Sequence, residues 1–183
     1  MTRTLTLATA VAALFVATPA LAAPASTQVN ANGSGKTVIL SPLNFVKDTD
    51  LNFGSVVLPV GNAGTITVNP DPTATSFVTS TGVTQLPNSN PTRGLFVGAG
   101  SAGVPVVVQT TFPSQLYLGG NPAAASLPLS LKLDHAPVAG NVYSYTIDPG
   151  QAFMVYVGGT VGLPVGTADG AYSNTYTVTA TYP

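Results

Sequence analysis

Between Ala23 and Pro183 there is not one glutamate, and the basic residues number only four, Lys36, Lys47, Arg93 and Lys132. This scarcity constrains the fold more than any motif does. Exposed helical faces are normally filled with Glu, Lys, Arg and Gln, so a chain this poor in them cannot clothe helices for water. Thr, Val, Gly, Pro, Ser and Asn take their place. β-Branched residues favour strands, and Gly, Pro and Asn interrupt them. The reading is an all-β domain. With 16 Pro and 19 Gly the chain could pass for disordered, but a hydrophobic content of 45% is too high for a chain that does not collapse. Four scattered cations against six aspartates cannot displace the counterions of a phosphate backbone, which excludes nucleic acid as a partner. There is no cysteine, so sheet pairing and packing must supply the stability that disulfides give many exported domains.

The pattern divides the chain in three. Residues 1–22 read as a secretory signal: Arg3 supplies the positive end, residues 5–16 are an apolar run, and Ala20, Leu21 and Ala22 have the small-x-small form of a cleavage site. After its removal no apolar stretch is expected to cross a membrane. Residues 23–35 (APASTQVNANGSG) are small and polar, a flexible leader. Residues 36–183 then read as one β-sandwich domain. Strands are predicted at 36–47, 51–60, 64–69, 76–83, 94–98, 104–112, 128–134, 142–147, 152–157 and 172–182, separated by Gly, Pro and Asn. Pro42 confines the first of these to a sheet edge or splits it. Short strands about ten residues apart with no helical period between them favour an antiparallel, immunoglobulin-like sandwich over a βαβ fold. Residues 122–126 are the one place where a helical turn is expected.

Catalytic constellations are hard to assemble from this sequence. His135 is the only histidine, and a Ser-His-Asp arrangement would have to use it with Asp134. Neighbouring residues of a strand face opposite ways, so Asp134 is not expected to orient His135. Residues 99–103 (AGSAG) miss the nucleophile-elbow pattern at Ala99. Residues 33–37 (GSGKT) imitate the end of a phosphate-binding loop, but Asn30 stands where its first glycine belongs and a strand, not a helix, follows. Asp48 and Asp50 have calcium-loop spacing, yet Phe53 replaces the turn glycine and Pro59 the closing glutamate. A solvated loop is the reading there, with a surface calcium as its alternative. One histidine and no cysteine cannot build a structural zinc site. No cofactor, metal or catalytic residue is assigned, and the function is read as non-enzymatic.

The C-terminal segment carries the most information. In YSNTYTVTATYP, Tyr172, Tyr176, Val178, Ala180 and Tyr182 share one face and threonines and serine the other, the pattern of a long amphipathic strand. Gly170 stands fourteenth from the end and Tyr182 is penultimate. This ending resembles that of chaperone-usher pilins, with Asn174 on the apolar face as the departure. In such subunits a periplasmic chaperone holds the terminal strand by backbone pairing. The resemblance implies that Gly170, Tyr172, Tyr176, Val178, Ala180 and Tyr182 form a partner-pairing strand. An ordinary closing strand is the alternative.

A second resemblance covers most of the chain. LNFG at 51–54, GTITV at 64–68, LFVG at 95–98, VGGT at 157–160 and the Gly170-to-Tyr182 ending are together similar to a family of secreted proteobacterial β-domains known as a domain of unknown function (domain of unknown function 4402). The glycines of these blocks, Gly54, Gly98, Gly158 and Gly159, fit strand ends or bulges, or places of close approach. The two resemblances imply a pilin-like or adhesive surface subunit of a Gram-negative bacterium, passing through the periplasm to the cell surface. Its partners would be copies of itself or related subunits, with a periplasmic chaperone and usher. In such assembly one subunit's N-terminal segment completes the sheet of the next, which makes Val38, Leu40, Leu43 and Phe45 the candidate donor residues. A monomeric periplasmic or surface module binding a glycan or protein is the alternative function.

Overall fold

The computed structural model describes residues 35–183; the signal expected at 1–22 and all of the leader expected at 23–35 but Gly35 lie outside the described residues. Two units are distinguished, Met1–Thr37 and Val38–Pro183. Of the first only Gly35, Lys36 and Thr37 are described, and all three are exposed. Everything below concerns the second.

Among the described residues there are thirteen strands and no α-helix, so the all-β reading holds. In chain order they are β1 (Asn44–Thr49), β2 (Val56–Val57), β3 (Gly64–Val68), β4 (Phe77–Thr79), β5 (Thr84–Gln85), β6 (Gly94–Ala99), β7 (Pro105–Thr111), β8 (Gln115–Leu118), β9 (Ser126–Leu133), β10 (Val142–Thr146), β11 (Ala152–Leu163), β12 (Tyr172–Ser173) and β13 (Thr177–Thr181). All pairings are antiparallel. The large sheet runs β1-β6-β11-β9-β8-β12, with β3 also on β11 and β4 on β3; the second sheet is β10-β7-β13, and β2 and β5 form a ribbon of their own.

β11 organises the molecule. Its first half lies beside β6, from Ala152 opposite Ala99 to Val157 opposite Gly94. From Gly159 opposite Val68 onward the same edge faces β3, while Val157–Val161 pair with β9 on the other side. The change of neighbour falls at Gly158 and Gly159, read from the sequence as a strand end or a bulge. They lie inside the strand, and close approach is the part of that reading the structure bears out. A Cβ on Gly158 would collide with the Val68 carbonyl and Pro70, and one on Gly159 with the Ser130 carbonyl. Only bare backbone lets β11 run between such close neighbours.

Alternation sets the cores. From the second sheet Val106, Val108, Tyr143, Tyr145 and Val178 point inward; from the large sheet Phe96, Phe153, Val155 and Val157 meet them, and the two faces share one apolar cluster. This is a sandwich, with each buried side chain of that size contributing about 1.5–3 kcal/mol. Phe45 of β1 stacks on Phe96 and Phe153 with ring centroids 5.5 and 5.7 Å apart. A second cluster gathers around the far half of β11, with Ile66, Val83, Leu127, Leu129, Val161 and Leu163.

Several predicted boundaries move. The first strand begins only at Asn44, past Pro42, and of residues 51–60 only Val56–Val57 form a strand. Residues 115–118, assigned no strand from the sequence, form β8. At 122–126 the helical expectation reduces to one turn, in which Ala124 N donates to Asn121 O at 2.9 Å before β9 starts at Ser126. The loop after β3 is held by Arg93, whose Nε and NH2 donate to the carbonyls of Asn69 and Ala74, each at 2.6 Å. Asp71, in the same loop, accepts from the Thr73 hydroxyl and amide and is held below the usual carboxylate range, chiefly by that hydroxyl.

Candidate partner-docking cleft

The terminal strand predicted over residues 172–182 is not continuous. Tyr172–Ser173 pair with β8 in the large sheet, and Thr177–Thr181 pair with β7 in the other. Asn174 makes the crossing: its Nδ2 donates to Gln115 O at 2.9 Å and its Oδ1 accepts from Thr175 N at 2.8 Å. The residue that interrupts the apolar face in the sequence is therefore the one that carries the chain between sheets, a common use of Asn side chains bonded to local backbone. Strand alternation over an unbroken run could not reveal this; the lone Asn was the signal.

The crossing leaves a gap. On one side runs the segment 51–58, whose only strand, β2, pairs with nothing but β5. On the other runs 167–176, with β12 only two residues long. Between them lies an open cavity of about 900 Å³, walled by Phe53, Val56 and Leu58 on one side and Tyr172 on the other, with Leu129 and Val161 on its floor. A second hollow of about 350 Å³ adjoins it toward Lys47 and Phe96 and shares Leu51, Asn174 and Tyr176 with the first. The outer edge of β13 has no strand partner among the described residues, so its backbone groups beyond β7 remain open to an added strand.

Of the predicted pairing residues, Gly170, Tyr172 and Tyr176 line this cleft, and Val178, Ala180 and Tyr182 do not. Gly170 has φ +145°, and a Cβ there would strike Leu118. The Tyr172 ring joins the second core, and its hydroxyl donates to Ala168 O at 2.8 Å. Tyr176 sits edge-on to Phe96 and Phe112, with centroids 6.1 and 6.0 Å away. Its hydroxyl is buried and finds no hydrogen-bond partner among the described residues. Burial first, and then the Asp50 carboxylate, push that hydroxyl above the usual tyrosine range; the Leu51 backbone works weakly the other way. Val178 is buried in the first core, and Ala180 and Tyr182 pack on it.

The four candidate donor residues separate into two pairs. Leu43 and Phe45 pack on the chain's own first core, and Phe45 is part of β1, paired with β6. Val38 and Leu40 lie in no strand. Val38 and Ile39 are 80% and 90% exposed, an unusual state for adjoining large aliphatic residues.

Asp134 and His135 require a correction. β9 ends at Leu133, so strand alternation no longer governs the next two residues, and His135 Nδ1 lies 3.2 Å from Asp134 Oδ2. The other carboxylate oxygen accepts the Tyr145 hydroxyl at 2.6 Å and Tyr156 N at 3.2 Å. The Tyr145 hydroxyl is pushed far above the ordinary tyrosine range, by burial first and then by its bond to Asp134. This group ties the end of β9 to β10 and β11, and so one sheet to the other. Elsewhere, Asp50 pairs with Lys47 at 2.6 Å and Asp48 accepts from the Thr49 hydroxyl at 2.9 Å. Among the described residues no three His, Cys, Asp or Glu side chains gather as a metal site would need. The same residues contain no helix long and apolar enough to cross a membrane.

The family model described as a domain of unknown function, DUF4402, matches residues 43–182. The chain belongs to this family. The match spans β1 through β13, so the whole sandwich and both walls of the cleft fall within the family's domain. No curated protein and no solved structure matches the chain.

Proposed function

We propose that this member of the family is a non-enzymatic structural or adhesive subunit with a pilin-like, immunoglobulin-type role. In this reading it is exported through the periplasm to the surface of a Gram-negative bacterium, with a chaperone and usher assisting, and joined to further copies by strand complementation. The observation that carries the reading is the cleft between β2 and β12, two short strands that each have a strand partner on one edge only among the described residues. An extended segment laid there would gain backbone hydrogen bonds from an open edge and would bury alternate side chains in the cleft, the two sources of affinity and specificity in strand addition. The exposed residues Val38 and Leu40 suit that role, being two apart and thus on one face of an extended chain. Leu43 and Phe45 do not enter it, because their side chains are used at home.

The test is deletion of residues 23–40 from the processed protein, which removes the arm and leaves β1 and both cores. Sedimentation should show concentration-dependent assembly of the full processed chain and a folded monomer for the truncated one. Unimpaired assembly of the truncated chain would rule out the arm as donor. A strictly monomeric full chain would favour the second reading, a glycan- or protein-binding module, for which the observation is that about 900 Å³ lies within the range of ligand sites.

A further inference from the structure

Three hydrogen bonds close a ring at the end of the sandwich where the arm leaves it. The Tyr182 hydroxyl accepts from Ser101 N and donates to Ser41 O, both at 2.9 Å. Ser41 N in turn donates to Ser101 Oγ at 2.7 Å. Both backbone groups of Ser41 are thereby fixed, although the residue lies outside any strand and is exposed. The space for this ring comes from Gly100, where a Cβ would collide with the Tyr182 hydroxyl and come within 2.8 Å of Ile147 Cδ1. Immediately upstream, Leu40 is 37% exposed, Ile39 90% and Val38 80%. The fold's grip on the chain thus stops at Ser41, and the apolar arm begins one residue before it.

We infer that the Tyr182–Ser101–Ser41 ring is a clasp that roots the N-terminal arm at Ser41, so that residues 38–40 start from a fixed point to dock in the cleft of a second copy. The inference rests on the strand-complementation reading and assigns the penultimate aromatic a role in it. A root fixed in advance lowers the ordering cost that a mobile arm must meet on docking. It also sets register, since slipping the arm by one residue would turn Val38 and Leu40 away from the cleft. Without the clasp, the loose segment lengthens by Ser41 and Pro42, up to Leu43, which packs on the first core.

Tyr182→Phe tests this, because it removes the hydroxyl and leaves the ring on the first core. In the processed full-length protein the variant should self-associate about tenfold more weakly. Its melting temperature should stay close to that of the wild type, and amide exchange at Ser41 and Ser101 should accelerate. Ser101→Ala, which removes the acceptor for Ser41 N, should shift association in the same direction. Wild-type association matched or exceeded by both variants would overturn the clasp and leave strand complementation standing. A wild-type protein that stays monomeric would overturn complementation, and the inference with it, a failure visible in the wild type rather than in the variants.

Discussion

The two halves of the sandwich share one strand and differ in what faces it. Along residues 152–157, β11 looks across at β7, β10 and β13, and the core between the sheets is closed, with Val155, Val157, Val106 and Val108 fully buried. Along residues 159–163 the same strand still buries its apolar side chains, Val161 at 1% and Leu163 at 6% exposure. Yet there the layer opposite is only the short β2–β5 ribbon and the segment leading into β12, and a cavity opens beside it. Apolar sequence alone therefore does not determine closure. What differs is whether a full strand is available to lie opposite, and in the second half the chain supplies two residues at a time.

The severest way to break this contrast is a charge in the closed half. Val178→Asp would bury an unpaired carboxylate between the sheets, and no folded protein should accumulate, as followed by the yield of soluble protein and the cooperative melting transition. Thr177→Asp, one residue away on the exposed face, should fold nearly as the wild type does. A smaller perturbation sharpens the contrast. Phe153→Ala in the closed half should cost about 4 kcal/mol in denaturant unfolding, whereas Leu163→Ala, on the cleft wall, should cost about 2 kcal/mol because water already reaches that side. Equal losses would mean that the open half is closed in solution.

The smallest effect concerns the tether between the sheets. Tyr145→Phe deprives the Asp134 carboxylate of its 2.6 Å donor and should cost about 1–2 kcal/mol at neutral pH. The tether also predicts an alkaline dependence. In the unfolded chain tyrosine loses its proton near pH 10, but in the folded state Tyr145 holds its proton well beyond that. Above about pH 10 the unfolded state therefore binds fewer protons than the folded one, and stability must fall as pH rises. The contribution is complete below that pH. Tyr145→Phe should flatten the decline in melting temperature above pH 10, and Tyr176, shifted in the same direction, should account for part of what remains.

Much of this was legible from residue types. The missing glutamates announced an all-β chain, and the alternation of Tyr176, Val178 and Ala180 correctly placed them on one inward face. What alternation could not show was that the terminal segment changes sheets at Asn174, because both pieces keep the same phase. Nor could it show that β11 runs on through Gly158 and Gly159. A glycine pair is a break when read locally and becomes a requirement only when Val68 and Ser130 press on it from distant parts of the chain. The cleft was hidden for the same reason, being a property of what does not cover residues 159–163. The clasp at Tyr182 joins residues 141 positions apart, beyond the reach of any local pattern.

The central place of β11 also governs when the fold can exist. Each of its neighbours, β3, β6 and β9, precedes it in the chain, and β3 lies about ninety residues earlier, with Val68 waiting for Gly159. A polypeptide delivered from its N-terminus therefore has only two-stranded pieces, β1–β6, β2–β5, β3–β4, β8–β9 and β7–β10, until β11 has emerged, and two-stranded pieces are marginal in water. Loop closure over such separations makes the search slow, and the unpaired strands are open to aggregation throughout it. The large sheet stays in pieces until residues 152–163 arrive, in about the last sixth of the chain, and until then its strand edges are open to any strand-binding partner.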